Sequence, residues 1–307
     1  MRINIIGVDS CPKQDHGGLN FWIRCLVKCF PKDWEYKISV MNPLPDLEGY
    51  DLVYYMFYQR VNLSRLSKRL PTIAFFTHQE VRIDGLAQRF MNSAHQADYI
   101  VNMTKRYENV MVENGVSRDK CIVIPFGYDE EIFKPLIKVG INASLRERTR
   151  RKGEDWLEDF FNTTDKKILA CMEFHVIGQG WETIVEKYKD TINIVSYGFG
   201  AQRDNVIKFF HAINYLLICS DYEGGPIPLV EALACGVPVV SRDVGNVNHE
   251  ILADNDLLTV IDTPGDFVSF MDDKINRGRR RVEHLTWTNF SLRNIELIKK
   301  AVREFKF

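Results

Sequence analysis

The chain has 307 residues, more than a typical single domain, and 45% of them are hydrophobic, which is enough for two hydrophobic cores. The formal net charge of −1 at pH 7 argues against a nucleic-acid binder that depends on overall positive charge. Basic residues cluster at 146–153 and 277–281. Such runs are usually solvated faces and sometimes anion sites, and the solvated interpretation is favoured for the second run.

The amino-terminal stretch does not have the pattern of a signal peptide or a membrane span. Its apolar run is short and is broken by Gly7 and Asp9. The seven cysteines form no closely spaced metal-binding pairs, and several lie in apolar runs, as reduced core thiols do. We therefore expect a cytoplasmic protein.

In the first half of the chain, short apolar runs alternate with helix-like segments. Residues 2–8 predict a buried strand, the pair Gly17 and Gly18 predicts a loop, and 19–30 has helical apolar spacing. Further apolar runs follow, separated by helix-like segments near 60–70, 84–96 and 104–114. Strands that alternate with helices indicate a largely parallel sheet covered on both faces.

The alternation restarts after a loop-like string at 125–135. The apolar run at 166–174 predicts a strand, and the last segment predicts an amphipathic helix capped by Thr288 or Asn289. We therefore predict an α/β protein with two Rossmann-like domains that face each other across a cleft, where the carboxyl ends of the strands collect ligands. The predicted parts are an amino-terminal domain, a carboxyl-terminal domain and a final helix that packs back on the first domain, at 1–134, 135–286 and 287–307.

The stretch EGGPIPLVEALACGVPVV, residues 223–240, carries two glutamates in an otherwise apolar segment. Pro228 suits the first turn of a helix, Gly236 suits its left-handed end, and Pro238 stops continuation, so a short helix and then a strand are predicted. Between those limits Glu231 is the charged residue. An ionised carboxylate in so apolar a helix is costly unless it is paired or hydrogen-bonded, and the vicinal hydroxyls of a sugar are suitable donors.

Glu223 lies just before that helix, at the carboxyl end of a predicted strand. Gly224 and Gly225 allow the backbone to approach a ligand, and the first amides of the helix can hold a phosphate or a sugar. In the competing interpretation, Glu231 only interacts with the helix dipole and Glu223 is a solvated turn residue. The spacing alone does not separate these two interpretations.

The run SDYEGGPIPLVEALACGVPVVSRDVG at 220–245 resembles the donor-site signature of retaining family 4 glycosyltransferases, which have the GT-B fold. In that signature two glutamates flank seven residues and precede an A-x-G-x-P-V pattern. Three further segments follow the family's order: a first strand with its Gly-Gly loop, a segment with Gly127, Asp129 and Phe133 in a G-x-D-x3-F pattern, and a segment where the family has V-G-R followed by K-G. They lie at 5–26, 97–135 and 139–156, so the resemblance covers most of the chain.

The resemblance implies a hexosyltransferase-type enzyme that moves a sugar from a nucleotide-diphosphate sugar to an unidentified acceptor and retains the anomeric configuration. A UDP-sugar is favoured as the co-substrate, and no cofactor is expected. In this class the leaving diphosphate is thought to take the acceptor's proton on the same face of the sugar, so no dedicated nucleophile is needed. The resemblance also implies a metal-independent reaction.

The resemblance also assigns roles in the carboxyl-terminal domain. Glu231 would bind the ribose hydroxyls of the donor, and Glu223 would contact hydroxyls of the transferred sugar beside the reacting carbon. Lys152 would lie against the diphosphate and stabilise the leaving group as charge builds on it. The sugar and phosphates would also be held by the backbone of four residues, Gly224, Gly225, Pro226 and Ile227.

Other roles are implied less directly. The family's V-G-R pattern does not survive here, and Arg146 is the best replacement for its arginine, followed by Arg148 and Arg151. His78 follows a predicted strand, where the family frequently has a histidine near the sugar and the acceptor. Two glycines would approach the donor phosphate or the acceptor from the first domain, namely Gly17 and Gly18.

Two alternatives remain open at this point. A nucleotide-sugar epimerase or hydrolase of the same fold would form a free-sugar product without an acceptor, and a non-catalytic sugar-binding scaffold would not need the three polar residues of the donor site. The acceptor is expected to be a glycan, a lipid-linked sugar or even nucleic acid. Basic and aromatic stretches at 54–70 and 81–90 would suit peripheral membrane or nucleic-acid contact, although solvated helices explain them more simply.

Overall fold

The computed structural model describes residues 1–7, 18–39, 45–58, 61, 70–77, 85–146, 148–198, 203–245, 247 and 256–305. The chain forms two compact units. The first unit is Met1–Phe133 together with Val282–Phe307, and the second unit is Lys134–Arg281. Each unit contains a parallel sheet with six described strands and flanking helices, which confirms the predicted α/β class with two Rossmann-like domains.

The strands of the first unit are β1 Arg2–Ile6, β2 Glu35–Ser39, β3 Leu52–Tyr55, β4 Thr72–Phe76, β5 Tyr99–Asn102 and β6 Cys121–Val123. The strands of the second unit are β7 Ile137–Asn142, β8 Met172–Ile177, β9 Ile194–Ser196, β10 Tyr215–Ile218, β11 Val239–Ser241 and β12 Leu258–Val260. The helices are α1 Gly18–Val27, α2 Leu86–Gln96, α3 Lys105–Glu113, α4 Glu154–Thr163, α5 Lys166–Leu169, α6 Glu182–Tyr188, α7 Arg203–Ala212, α8 Ile227–Ala234, α9 Pro264–Val282 and α10 Trp287–Glu304.

The first sheet has the order β2-β1-β3-β4-β5-β6, and all neighbouring strands are parallel. Strands β3 and β4 are buried along their whole length, as expected when helices cover both faces of a parallel sheet. One face packs against α1 and α10 around Phe75 and Phe290, and the other packs against α2 and α3 around Phe76 and Phe90.

The last helix, α10, is joined to the rest of the first unit by buried polar contacts. The Tyr54 hydroxyl donates to Asn294 Oδ1 at 2.6 Å, and the Ser291 hydroxyl donates to the Leu26 carbonyl at 2.6 Å. These hydrogen bonds replace water for groups that the apolar core would otherwise leave unsatisfied.

The predicted cap of α10 at Thr288 or Asn289 is wrong, because the cap is Thr286. Its backbone is extended, and its hydroxyl accepts a hydrogen bond from the Asn289 N–H at 3.1 Å. The Thr288 hydroxyl instead donates to Glu130 at 2.6 Å. The sequence pattern correctly predicted the helix but not the residue that caps its amino terminus.

Two chain segments of the first unit cross at Gly127. The Tyr128 N–H donates to the Leu285 carbonyl at 2.8 Å, and the Trp287 N–H donates to the Tyr128 carbonyl at 3.1 Å. A Cβ atom on Gly127 would lie 2.0 Å from the carbonyl carbon of Thr286. Only glycine therefore permits these two segments to pass so closely.

The second sheet has the order β12-β11-β10-β7-β8-β9, again with parallel neighbours. The order reverses between β7 and β10, which is the point where a doubly wound sheet binds ligands outside its carboxyl edge. Helices α4, α6 and α9 pack on one face around Phe160 and Phe267, and α7 and α8 pack on the other around Phe209 and Leu229.

One predicted strand of the second unit is shorter than expected. The run at 166–174 begins as the short helix α5, and the strand starts only at Met172. Asp165 explains the difference, because its carboxylate accepts a hydrogen bond from the Lys167 N–H at 2.7 Å and so begins a helical turn. The predicted helix α8 and the left-handed Gly236 after it are confirmed, with a φ angle of 71° at the glycine.

Gly127→Ala should lower the free energy of unfolding by about 1–3 kcal/mol, the usual cost of forcing additional atoms into a packed site. Gly278→Ala in α9 is the matched control, because a Cβ there has no neighbour within 4 Å and alanine favours the helix. Urea unfolding followed by circular dichroism measures both effects. A Gly127→Ala protein as stable as the wild type would contradict the tight crossing.

Candidate functional site

A pocket lies at the carboxyl edge of the second sheet, where the strand order reverses. It is formed by the ends of β7 and β10, the turn before α4 and the start of α8. Its lining consists of Ile141, Asn142, Ala143, Lys152, residues 217–220, Glu223 and residues 225–228. The pocket thus occupies the position at which open α/β sheets bind ligands.

Lys152 reaches this pocket because the turn before α4 packs tightly against the end of β10. Gly153 has a φ angle of 85°, and a Cβ atom there would lie 2.0 Å from the Cys219 carbonyl oxygen. The Asp221 N–H donates to the Arg151 carbonyl at 2.9 Å. The Lys-Gly pair is therefore a geometric requirement, since glycine alone lets the backbone beside Lys152 come so close to β10.

Glu223 and Lys152, both assigned to the site from sequence, meet in the pocket. Lys152 Nζ lies 2.5 Å from Glu223 Oε1, and the Ser220 hydroxyl donates to the same oxygen at 2.8 Å. Arg151 Nη1 lies 3.4 Å from Glu223 Oε2. The Glu223 side chain is only 11% exposed, so this carboxylate is held by three polar neighbours in a largely dry environment.

Two opposing effects act on the pKa of Glu223. Burial raises the pKa, but the hydrogen bonds from Lys152 and Ser220 and the charges of Lys152 and Arg151 together outweigh burial and hold the pKa below its usual range. Glu223 is therefore ionised at neutral pH. It can accept hydrogen bonds but has no proton to give.

The backbone at the start of α8 offers free hydrogen-bond donors beside Glu223. The N–H groups of Gly224, Gly225 and Ile227 donate to no residue in the described part of the chain. Pro226 and Pro228 also line the pocket, but proline has no backbone N–H. Pro226 therefore cannot supply the hydrogen-bond donor predicted for this segment and can only contact the ligand with its ring. Free amides at a helix start favour an anion or a hydroxyl-bearing ligand.

Glu231 lies on α8 and is half-buried, but it is not part of the pocket lining. Within the described ranges its carboxylate accepts no hydrogen bond and forms no ion pair. Helix α8 is less buried than its apolar sequence indicates, since the side chains of Ile227 and Val230 are 70% and 54% exposed. The carboxylate therefore does not need a ligand to avoid the cost of burial, and its ribose-binding role stays a prediction.

The basic run before α4 distributes its arginines among different partners. Arg146 is exposed, its backbone N–H donates to Glu154 at 3.3 Å, and its guanidinium forms no hydrogen bond or ion pair with a described residue. Arg150 pairs with Asp155 at 2.6 Å and with Glu158. Arg151, which the sequence ranked behind Arg146, lies beside Glu223.

Several residues predicted from sequence cannot be placed. Gly17 and His78 lie outside the described residues, as do 59–60 and 62–69 of the basic and aromatic stretch at 54–70 and 81–84 of the stretch at 81–90. Gly18 is the first residue of α1. Their roles remain predictions.

Ser220 is a site residue that the sequence analysis missed. It is 4% exposed, and its hydroxyl binds the Glu223 carboxylate. The available indication was its position, since Ser220 follows the end of a buried strand and precedes Glu223 by three residues. The sequence could not show that its side chain points to Glu223 and not to solvent.

Neither a metal-binding group nor a membrane-crossing helix is found among the described residues. No three or more His, Cys, Asp and Glu side chains in these ranges form a group that could hold a metal ion. No helix in the described ranges combines the length and the apolar character that a membrane crossing requires.

Comparison with known proteins identifies a family match over most of the second unit. Residues 138–276 match the family model described as Glycosyl transferases group 1. The matched segment contains every residue that lines the pocket.

Two relatives are similar to parts of the chain. Glycosyltransferase 335 of Sulfolobus islandicus rod-shaped virus 1 is 31% identical over 113 residues, which are 36% of this chain and 32% of that protein. Glycosyltransferase MJ1178 of Methanocaldococcus jannaschii is 26% identical over 197 residues, which are 62% of this chain and 54% of that protein. The chain thus spans about a third and about half of the lengths of these relatives.

Solved structures align over nearly the whole chain at low identity. Sucrose-phosphate synthase from Thermosynechococcus elongatus is 15% identical, with 99% of this chain and 100% of that chain covered and a TM-score of 0.43. Anabaena HepE in complex with UDP is 13% identical, with 98% and 100% covered and a TM-score of 0.42.

The free energy of unfolding should depend on pH partly through Glu223. Because its pKa is lower in the folded protein than in the unfolded chain, where it is about 4.3, its contribution is present above about pH 4.3 and is lost as the pH falls through the folded pKa. Glu223→Gln should therefore lose less stability than the wild type between pH 7 and pH 3 in urea unfolding.

Glu186→Gln is the control for this measurement. Glu186 pairs with Lys189 on the surface with its side chain 75% exposed, and such pairs contribute little to stability. Its pH profile should follow the wild type. Parallel profiles for Glu223→Gln and the wild type would contradict the role of Glu223 as an ionised, paired carboxylate.

Proposed function

We propose that this chain, which matches the Glycosyl transferases group 1 family over residues 138–276, moves a sugar from a nucleotide-diphosphate sugar to a hydroxyl group of an acceptor with retention of configuration. The observation that carries the proposal is the pairing of Lys152 with Glu223 at the carboxyl edge of the second sheet, beside backbone amides that have no acceptor among the described residues. A cation and amides suit a diphosphate, and an ionised carboxylate suits sugar hydroxyls.

Lys152 would stabilise the leaving group. As the bond between the anomeric carbon and the phosphate oxygen breaks, its electron pair goes to that oxygen, and negative charge builds on the diphosphate. The Lys152 side chain is 21% exposed, so its charge is only partly screened by water. A fixed cation at the place where charge develops lowers the barrier to this step.

Glu223 would orient the transferred sugar. Its carboxylate is anchored by Lys152 and Ser220, and it is ionised, so it can accept hydrogen bonds from sugar hydroxyls beside the reacting carbon. The acceptor hydroxyl attacks the carbon from the face that the diphosphate leaves, and its proton passes to the departing phosphate oxygen. This route needs no protein nucleophile and no metal, and it retains the configuration.

The remaining assignments complete the proposed donor site. Glu231 and the guanidinium of Arg146 are both without a described partner. Glu231 would bind the ribose hydroxyls, and Arg146 would reach the diphosphate. Gly17 and Gly18 would approach the phosphate or the acceptor, and His78 would lie near the sugar. A hexose carried by UDP is the donor to test first, and the acceptor is a glycan, a lipid-linked sugar or another hydroxyl compound.

Donor binding should depend on Glu231. A thermal-shift panel with UDP, GDP, ADP, CMP and their sugar conjugates should show stabilisation by one nucleotide, by about 2.7 kcal/mol at a hundred times its dissociation constant. Glu231→Ala should weaken that ligand by roughly 10- to 100-fold, because hydrogen bonds to a charged group contribute about 1.5–3 kcal/mol.

Glu186→Ala is the control for the panel, since it removes an exposed carboxylate of the same unit that lies away from the pocket lining. It should bind the nucleotide like the wild type. If no nucleotide or nucleotide sugar shifts the wild-type transition, the proposal of a nucleotide-sugar donor is wrong. An equal shift for Glu231→Ala and the wild type would remove Glu231 from the site.

Lys152→Met should slow turnover more than it weakens binding. With the donor found in the panel, slow transfer of the sugar to water should fall by about 10²-fold or more, since the lost interaction acts on charge that forms in the transition state. Lys189→Met, which removes an exposed lysine of a surface pair, is the control. An unchanged rate in Lys152→Met would contradict the leaving-group role.

The same reactions reveal the stereochemical outcome. Proton NMR of the first sugar released should show the donor's own anomeric configuration before mutarotation. Release of the opposite anomer would overturn the retaining mechanism while leaving donor binding intact.

A further inference from the structure

We propose that Arg242 is a positioning residue that holds Glu223 in place from the end of β11. The inference rests on the proposed function, because it assigns the support of a side chain that would contact the transferred sugar. Arg242 is not part of the pocket lining, and the sequence analysis gave it no role.

The loop that carries Glu223 needs support from outside itself. It runs from the end of β10 at Ile218 to the start of α8 at Ile227 and has no regular structure. Gly224 and Gly225 lie within it, and no side chain caps the helix that follows. A glycine-containing loop of this kind has many accessible conformations, so contacts from its neighbours must select one of them.

Arg242 supplies three such contacts. Its Nη1 lies 3.4 Å from the Cys219 carbonyl oxygen, 3.3 Å from the Ser220 carbonyl oxygen and 2.5 Å from Asp221 Oδ1. The arginine is itself anchored, since its backbone N–H donates to the Ile218 carbonyl at 2.9 Å and extends the ladder between β10 and β11. One rigid, permanently charged group thus spans three consecutive residues of the loop.

The effect of Arg242 reaches Glu223 through Ser220. The Ser220 carbonyl accepts a hydrogen bond from Arg242, and the Ser220 hydroxyl donates to Glu223 Oε1 at 2.8 Å. Both ends of Ser220 are therefore engaged, and the residue is 4% exposed. Movement of its backbone would displace the hydroxyl that orients the carboxylate.

A second arginine holds the same loop from the turn before α4. The Arg151 carbonyl accepts from the Asp221 N–H at 2.9 Å, and Arg151 Nη1 lies 3.4 Å from the Tyr222 carbonyl oxygen. Arg151 also contacts Glu223 directly, so its removal would change the charge at the site. Within the described part of the chain, Arg242 forms no hydrogen bond or ion pair with Glu223, and it is therefore the residue at which support can be tested separately.

The first test needs no ligand. Glutamate side-chain carboxyl groups are labelled with ¹³C, Glu223 is assigned by the signal that Glu223→Gln lacks, and its titration is followed in the wild type, Arg242→Met and Arg242→Lys. In Arg242→Met the pKa of Glu223 should move up toward about 4.3, because the hydrogen bond from Ser220 is loosened. Arg242→Lys keeps the positive charge but loses the planar guanidinium, so the pKa of Glu223 in this variant should lie between the values of the wild type and Arg242→Met.

The second test separates sugar binding from nucleotide binding. Calorimetry gives the dissociation constants of the nucleoside diphosphate and of its sugar conjugate for each variant. Arg242→Met should raise the dissociation constant of the sugar conjugate by about tenfold, which corresponds to the loss of one hydrogen bond to a charged group. The dissociation constant of the nucleoside diphosphate should change by less than about twofold. A purely structural role would weaken both ligands equally.

Arg277→Met is the control, since it removes an exposed arginine of α9 in the same unit without a described partner. It should leave the titration and both dissociation constants unchanged. If Arg242→Met does not fold, Asp221→Ala removes the side-chain acceptor among the three and should weaken binding of the sugar conjugate in the same direction by less than about tenfold.

The outcomes separate this inference from the proposed function. An unchanged Glu223 titration in folded Arg242→Met overturns the positioning role. If the wild type binds neither the nucleoside diphosphate nor its sugar conjugate, the proposed function fails, and the titration alone then decides the role of Arg242. A raised pKa together with a selective loss of sugar affinity supports both.

Discussion

The candidate site depends on one close backbone contact, the approach of Gly153 to the carbonyl oxygen of Cys219. That contact joins the turn before α4 to the end of β10, and these two segments carry Lys152 and Glu223. A side chain at 153 would separate them, because its Cβ would lie 2.0 Å from the Cys219 oxygen. Backbone packing therefore brings Lys152 and Glu223 together. The free energy of their ion pair is not needed to hold the two segments in contact.

This arrangement explains how a buried carboxylate can be tolerated. Removing Glu223 from water is unfavourable, and a single cation seldom compensates for that cost. Here Lys152 and Arg151 supply charge and Ser220 supplies a hydrogen bond, so both carboxylate oxygens have partners. His175 of β8 shows the same principle away from the pocket, since its two ring nitrogens lie within hydrogen-bond distance of Glu173 and Tyr197.

Much of the fold was predictable from sequence because the pattern of apolar runs follows directly from a parallel sheet covered on both faces. The errors arose where one local hydrogen bond decided the outcome. Asp165 begins a helical turn inside an apolar run, and Thr286 rather than Thr288 caps α10. In the site, Lys152 and Glu223 were found through a family resemblance, since no spacing argument connects side chains 71 residues apart. The exposure of α8 was not predictable, because the sequence of an apolar helix does not show whether the protein buries one of its faces or all of them.

The residues that sequence reasoning missed follow from strand register. In the second sheet Ile218 is paired with Ser241, so the residues directly after these two strands must lie side by side. That register places the carbonyls of Cys219 and Ser220 within reach of the Arg242 guanidinium. A sequence shows that each residue follows a strand, but it does not show which strands are neighbours. Once the order of the strands is known, an arginine directly after one strand can be expected to contact the loop directly after the neighbouring strand. The edge of the sheet thus supports the loop that carries the carboxylate.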